Sequence, residues 1–449
     1  MEKNLLRSKI VCPDYNKSYP SITHGLGCYL YDTDGTEYLD ASAGSCAVSL
    51  IGHGDENIVT ALAEQSKKVA VLPAHYLSAE VIQGYLKSLC EFSGFGHRAW
   101  TCSSGTEAVE NAMKVALQYH QINGQPERFK ILGRHGSYHG NSIFNLGVGG
   151  MPMRRASYKH LISDFAKVDA SYSYRFADGD PDYGIQSAES LRACIEQEGP
   201  ETVAAFIAEP VVGAALGAVP AADGYFERIR EICDEYGILL IVDEVMSGMG
   251  RTGRNFAIEH YNCEPDILAT GKGIGGGYFP LSAFIVNKRV ADAFVGNNQA
   301  FLGGHTHACT PQAAAVGQYV LDYIKEHNIV AKAEADGLYM KQQLQDLLQY
   351  DIVGDVRGVG YMIGIEFVSD KTTREPFAPE LNVSANIGQR LLEQGVILYP
   401  GKGSVDGYAG DHILITPPLT LTREQIDHMC HCLAVAIEQE MDELRRAHP

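Results

Sequence analysis

Residues 238–277 read ILLIVDEVMSGMGRTGRNFAIEHYNCEPDILATGKGIGGG, and two apolar runs inside this stretch set the architecture. Residues 238–242 have the length and β-branched content of a strand buried on both faces, and the run stops on two carboxylates, Asp243 and Glu244. In open α/β sheets ligands bind beyond the carboxyl ends of the strands, so acids at that point are placed to meet a ligand. A second run, Ile267–Thr270, leads into Gly271-Lys272-Gly273. The flanking glycines let the backbone turn sharply and let a ligand approach the lone amine. One sheet edge then carries an acid and an amine.

A lysine that forms a Schiff base with a carbonyl cofactor, beside a carboxylate that keeps a pyridine nitrogen protonated, is the pairing that makes pyridoxal phosphate an electron sink. The phosphate needs an anion site of its own. Upstream, the strand-like residues 99–102 run into Ser103-Ser104-Gly105-Thr106-Glu107, followed by a helical pattern through Tyr119. Hydroxyls and free backbone N–H groups at a helix N-terminus bind anions, and Gly105 leaves room for a phosphate. Three separate segments fit one cofactor.

The same residues carry a family resemblance. Ser104-Gly105-Thr106-Glu107-Ala108, Tyr138-His139-Gly140, Glu209-Pro210, Asp243-Glu244-Val245, Gly248-Met249-Gly250-Arg251-Thr252-Gly253, Gly271-Lys272-Gly273 and Pro417-Pro418-Leu419 follow one another along nearly the whole chain. In this order they resemble the class III (omega) aminotransferases, pyridoxal-phosphate enzymes of fold type I. The resemblance implies an α/β protein. Its large domain holds a mostly parallel seven-stranded sheet between helices, and a smaller α+β domain is built from both chain ends. It also implies roles. Lys272 carries the Schiff base and afterwards moves the proton, and Asp243 pairs with the ring nitrogen. Val245 and Tyr138 pack on the two ring faces, and Glu209 lies near the cofactor beside the phosphate-binding Ser104, Gly105 and Thr106. Thr306 stands where the family places a hydroxyl that reaches the phosphate of the neighbouring subunit, which implies a homodimer with active sites at the interface. The expected reaction moves an amino group from an amine or amino-acid donor to an oxo acid or aldehyde by a ping-pong mechanism. Two rivals are a racemase or epimerase on the same scaffold and a catalytically silent cofactor-binding protein; intact Asp243 and Lys272 argue against the second.

Composition narrows the setting. With 449 residues, 45% hydrophobic and 20% charged, the chain is long enough for two or three domains with a large core. A formal charge of -19 opposes binding to nucleic-acid phosphates. No segment approaches the length of a membrane span, and residues 1–13 lack the continuous apolar core of a secretory signal, so the expectation is a cytoplasmic enzyme with no membrane partner. The eleven cysteines form no C-x-x-C pair and read as reduced thiols. His428 and Cys432 share a helical face, but an ordinary amphipathic helix accounts for them and no metal is expected.

Taken in order, residues 1–65 predict an irregular arm and part of the small domain, with a hairpin in which residues 28–31 and 38–39 flank the turn at 32–35. Residues 66–327 form the large domain. Helical patterns lie at 58–71 and 78–92, strands at 130–133, 202–208 and 281–286, and a helix starts at Pro311. Residues 170–185, rich in Tyr, Asp, Gly and Ser, read as a surface excursion. Residues 328–449 form the small domain, with helices at 330–348 and 384–394 and strands at 361–367 and 412–415. Gly271–Gly276 matches the G-x-G-x-x-G dinucleotide fingerprint, but no helical pattern opens there, and the fingerprint is rejected.

Three positions depart from family members that act on ornithine-like or 4-aminobutyrate-like substrates. Those members carry Arg after the His-Gly pair, Glu five residues after the Glu of Glu-Pro, and Arg before the Pro-Leu segment. Here Asn141, Ala214 and Leu414 stand instead, a concerted loss that leaves no charge stranded. Met246 replaces a frequent Gln beside the cofactor. The expected substrate is an ω-amine or a bulky, apolar amino compound, with an acidic co-substrate received by Arg154 or Arg155.

Overall fold

Seven strands make the central sheet: Arg98–Cys102 (β1), Lys130–Arg134 (β2), Lys167–Val168 (β3), Val203–Ala208 (β4), Leu239–Glu244 (β5), Ile267–Thr270 (β6) and Ser282–Val286 (β7). They lie in the order β1-β7-β6-β5-β4-β2-β3. The structure, a computed structural model, describes residues 19–73 and 76–447, so the expected arm lies outside the described residues up to residue 18. β5 pairs in parallel with β4 and β6, with Val242 opposite Ala208 and Asp243 opposite Ala269. β7 runs antiparallel to both its neighbours, so the sheet is mostly rather than wholly parallel.

Every residue of β4 to β7 is buried, because the two faces of the sheet pack on different layers. Leu239 and Ile241 point toward Ala108, Val109 and Ala112 of the helix Gly105–Ile122. Leu240 and Val242 share the opposite core with Phe226, Ile229 and Ile232 of the helix Tyr225–Tyr236. β5 extends beyond its apolar run to include Asp243 and Glu244. Glu244 stays inside because Ser247 Oγ and the Ile258 N–H donate to it, at 2.5 and 2.7 Å.

Two further four-stranded sheets, and a two-stranded one that pairs Val211–Val212 with Val219–Pro220, complete the sheets of the described residues. Ile22–Leu26, Tyr29–Asp32 and Glu37–Asp40 form an antiparallel set, joined in parallel by Val396–Ile397, with Val396 opposite Leu39. Both ends of the chain therefore share a sheet. The other sheet, antiparallel, consists of Val353–Val359, Met362–Phe367, Asp411–Ile415 and Tyr399–Lys402.

The expectation of a surface excursion at residues 170–185 holds for 178–182, which are exposed, and is corrected at the start of the segment. Tyr172 is 1% exposed, its hydroxyl donates to Glu366, and Arg175 Nε donates to the same carboxylate at 2.8 Å. The stretch is a brace on the C-terminal sheet, and it already contains the start of the helix Tyr183–Glu198. Tyr172 makes that contact, while the Tyr183 hydroxyl accepts the Tyr172 N–H and donates to Ala170 O. Gly271–Gly276 makes a short 3-10 turn, Lys272–Gly275, and no helix opens there.

Candidate active site

The carboxyl ends of β5 and β6 face a cavity of about 740 Å³. Asp243, the next-to-last residue of β5, is 5% exposed and lines it. Its Oδ1 accepts the Val245 N–H at 3.0 Å, and its Oδ2 lies 2.8 Å from His139 Nδ1. An ionised carboxylate only accepts, so Nδ1 is the donor of that bond. His139 Nε2 is buried without a partner among the described residues.

Lys272 follows β6 with φ 48°, in the left-handed region that side chains other than glycine seldom occupy. Such a backbone costs on the order of 1 kcal/mol and persists where its surroundings enforce it. Next to it Gly273 fits under Leu50, whose Cδ1 would lie 2.9 Å from an added Cβ. The turn delivers the lysine to the cavity that Asp243 lines, and no hydrogen bond among the described residues occupies its Nζ.

The helix Gly105–Ile122 starts at the same cavity. Ser104 Oγ accepts the Glu107 N–H at 3.3 Å and Glu107 Oε2 accepts the Ser103 N–H at 2.8 Å, a reciprocal cap. The first-turn N–H groups of Gly105 and Thr106 have no intrahelical acceptors. Gly105 needs its missing side chain for packing: an added Cβ would stand 2.7 Å from Val245 Cγ1. Glu209 is a brace, its carboxylate accepting the N–H groups of Tyr138 at 3.1 Å and Gly213 at 3.0 Å. Burial pushes its carboxyl above the ordinary range.

The sequence profile of the family Aminotransferase class-III matches residues 11–437. The chain belongs to the class III aminotransferases. An uncharacterized aminotransferase of Schizosaccharomyces pombe, C1771.03c, is 37% identical over 94% of this chain and 93% of its own length. The uncharacterized aminotransferase YodT of Bacillus subtilis is 34% identical over 94% and 96%. Among solved structures, a thermostable (S)-enantioselective omega-transaminase from Thermomicrobium roseum superposes with a TM-score of 0.90 at 33% identity, covering 98% of this chain and 97% of that one. The protein is a pyridoxal-phosphate-dependent transaminase of fold type I.

The aminotransferase cavity offers what that cofactor requires. Free N–H groups and the Thr106 hydroxyl suit a phosphate, Asp243 suits a pyridine nitrogen, and Tyr138 and Val245 supply an aromatic and a branched aliphatic surface in the same cavity. Of the nine expected site residues, Gly105, Thr106, Tyr138, Glu209, Asp243, Val245 and Lys272 line it. Ser104 borders it as the helix cap. Thr306 is exposed in the turn after Gly304 and is not part of the lining within this chain.

The remaining wall includes the uncharged Cys46, Met151, Ala214, Met246 and Tyr399, and also two cations, Arg154 and Lys402. Leu414 is buried behind it, clustered with Cys46 and Met246. Asn141 is exposed and its N–H lies 3.4 Å from Thr106 Oγ1, so it contributes no charge to the cavity. Sequence reasoning left His139 without a role and did not find Tyr399. His139 sits between Tyr138 and Gly140 in a loop after a strand, which was the available signal; Tyr399 comes from an edge strand with no local one.

Proposed function

We propose that this aminotransferase takes an ω-amine or a bulky, apolar amino compound as its donor. The observation that carries the reading is the uncharged wall of Cys46, Ala214, Met246 and Tyr399. A carboxylate buried against these four residues finds no charged partner among them, whereas an apolar group gains roughly 25 cal/mol for each Å² it buries. Pyridoxal phosphate supplies the electron sink when bound. Lys272 Nζ is the covalent anchor and, once displaced, takes the proton from the substrate carbon that bears nitrogen and returns it on the cofactor side. Asp243, oriented by His139 Nδ1 and the Val245 N–H, keeps the pyridine nitrogen charged. Ser104, Gly105 and Thr106 hold the phosphate end, and Glu209 fixes the Tyr138 backbone so that its ring stays on the cofactor face.

The test is to load the purified protein with pyridoxal phosphate and follow its visible band while single donors are added, assaying the carbonyl product. Preference for 1-phenylethylamine or a long ω-amine supports the reading. A higher kcat/KM for ornithine or 4-aminobutyrate overturns it. Lys272→Ala should abolish turnover, and retained turnover would remove Lys272 from the chemistry.

The same proposal includes a cytoplasmic homodimer and a division of the chain at residues 1–65, 66–327 and 328–449. Reduced thiols support the compartment: all the cysteines among the described residues are free. An open groove of about 920 Å³, lined by Leu72, Leu77, Phe294 and Phe301, supports the dimer, as does the exposure of Leu77 and of the neighbouring Leu302. Thr306 belongs to this exposed segment. Sedimentation should give twice the monomer mass, and Thr306→Ala should weaken cofactor binding; a fully active monomer would refute both.

A further inference from the structure

One wall of the cavity stands on backbone that would not hold its shape unaided. Ser45 and Cys46 line the cavity from a tight loop at residues 43–47. In that loop φ is 52° at Ala43, 72° at Gly44, 81° at Cys46 and 60° at Ala47. Three of the four carry a Cβ, which the left-handed region accommodates poorly, and Cys46, with ψ 102°, lies beyond the favoured part of it. Elsewhere among the described residues, positive φ at residues other than glycine occurs singly. Strain of this kind persists only where the surroundings over-determine the backbone.

A buried carboxylate supplies that determination. Asp40, the last residue of the strand Glu37–Asp40, is 1% exposed and does not itself line the cavity. Its Oδ2 accepts the Gly44 N–H at 2.7 Å, and its Oδ1 accepts the Ser42 N–H at 3.3 Å and lies 3.1 Å from Ser42 Oγ. His53 Nε2 stands 3.2 Å from Oδ2 and donates to it, since a carboxylate only accepts. From the other side Thr416 Oγ1 donates to Ser42 O at 3.2 Å. Hydrogen bonds to a charged acceptor are about twice as strong as neutral ones, so the carboxylate is the strongest hold on the loop. Beyond it, Cys46 packs with Met246 and Leu414, and Tyr399 packs against the same cluster.

We infer that Asp40 is a positioning residue for the donor pocket: it clamps residues 43–47 in the strained conformation that keeps Cys46 in the wall, and so sets how well the pocket receives a bulky donor. This rests on the reading of Cys46 as part of an apolar donor wall. A gap of about 0.5–1 Å forfeits a quarter to a half of the attraction between packed atoms, so a loop that relaxes penalises a donor large enough to touch it and spares a small one. Lys272 and Asp243 come from other strands, and the clamp leaves their chemistry alone.

The experiment compares two uncharged donors that differ only in the group meeting the wall, 1-phenylethylamine and isopropylamine. Each is mixed with the cofactor-loaded enzyme, and loss of the visible band gives a second-order rate constant and a saturating rate. Asp40→Asn keeps the shape of the side chain and replaces one acceptor oxygen with a donor. It should lower the ratio of the two second-order constants about tenfold, the effect of losing a hydrogen bond to a charged group, through a weaker apparent affinity for 1-phenylethylamine. The saturating rate, the position of the band and the affinity for pyridoxal phosphate should stay within about twofold of the parent. Adding Ala43→Gly, which removes the steric cost of positive φ without touching the lining, should recover part of the ratio. Should Asp40→Asn fail to fold, Ser42→Ala, which removes one hydroxyl from the carboxylate's shell, should move the ratio the same way by about threefold. A ratio unchanged in the variants that fold, an equal fall for both amines, or no recovery with Ala43→Gly overturns the clamp. If the parent rejects both amines and takes ornithine, the donor reading falls, and the clamp is judged by the same ratio for ornithine against alanine.

Discussion

His139 is the residue that orients Asp243, one of the two acids that line the cavity at strand ends. With His139 in place Asp243 accepts two hydrogen bonds in a site where it is 5% exposed; without it only the Val245 N–H remains. A hydrogen bond to a charged group is worth about 1.5–3 kcal/mol, so His139→Ala should lower kcat roughly ten- to a hundredfold at saturating cofactor. Donor KM should change less, because the histidine is one layer removed from the substrate. A kcat within about twofold of the parent would show that the Val245 N–H suffices. Glu244, the next residue, has the opposite character. It faces the interior, fully buried, and burial pushes its carboxyl up to about 7. The folded state therefore keeps a proton that the unfolded chain has released, and stability falls as pH rises from the carboxyl's ordinary value of 4.5 through about 7. Glu244→Gln, which keeps an acceptor for the Ile258 N–H and a donor toward Ser247, should melt a few degrees higher than the parent at pH 8 and gain nothing below pH 4.5. An advantage equal at both pH values would contradict the raised carboxyl.

At the scale of elements, the helix Gly105–Ile122 links the sheet to the cofactor's anion site, and its first residue tolerates no side chain. Gly105→Ala would set a methyl group 2.7 Å from Val245 Cγ1, too close for carbon atoms, so the helix start or Val245 must move. Overpacking of this kind costs about 1–3 kcal/mol, and the displaced N–H groups should weaken cofactor binding about tenfold, measured by titrating the apoenzyme. Unchanged binding would place the phosphate elsewhere. This element was readable in the sequence because strand, cap and helix follow one another within a few residues, as do β5 with Asp243 and β6 with Lys272. Local order made these legible. Where the elements that meet lie far apart in the chain, reading failed. Val353–Val359 contains two glycines and two charged residues, and it is a strand because Met362–Phe367 pairs with it and Arg357 finds partners at Leu216 and Gly217. Residues 170–185 look like a solvent loop until Glu366, nearly two hundred residues later, accepts Tyr172 and Arg175. Arg154 was one of two adjacent arginines with no local distinction; only the tertiary partner of Arg155, Asp164, separates them.

At the scale of the whole molecule, the C-terminal sheet is locked to the loop that carries Ala214. Arg357 donates from Nε to Gly217 O at 2.8 Å and from its terminal nitrogens to Leu216 O and, at 2.6 Å, to Glu366. Burial opposes the charge on Glu366, but Arg357 and Arg175 outweigh it and hold the carboxyl below its ordinary range. Removing one member of such a buried group strands the rest, so Arg357→Met should destabilise by about 3–5 kcal/mol, while Arg357→Met with Glu366→Gln should recover part of the loss. Ala214 lies in the loop that would be released, so donor KM should rise in the single variant. His412 gives the same sheet a pH limit. It is fully buried against Gly217 and Gly401, and burial, aided by Arg357, pushes its pKa down to about 4 from 6.5. The unfolded chain then binds a proton that the folded one refuses, so stability is complete above about 6.5 and is lost as pH falls toward 4. Glu366 acts in the same direction below its ordinary value of 4.5, and Glu244 opposes His412 above it. The parent should therefore show a shallow melting profile between pH 5 and 7, as an approximate cancellation of two opposite slopes. Glu244→Gln should expose the acid-labile slope, and His412→Leu should expose the opposite one, with stability falling as pH rises; identical slopes in the two variants would mean that neither buried group controls the profile.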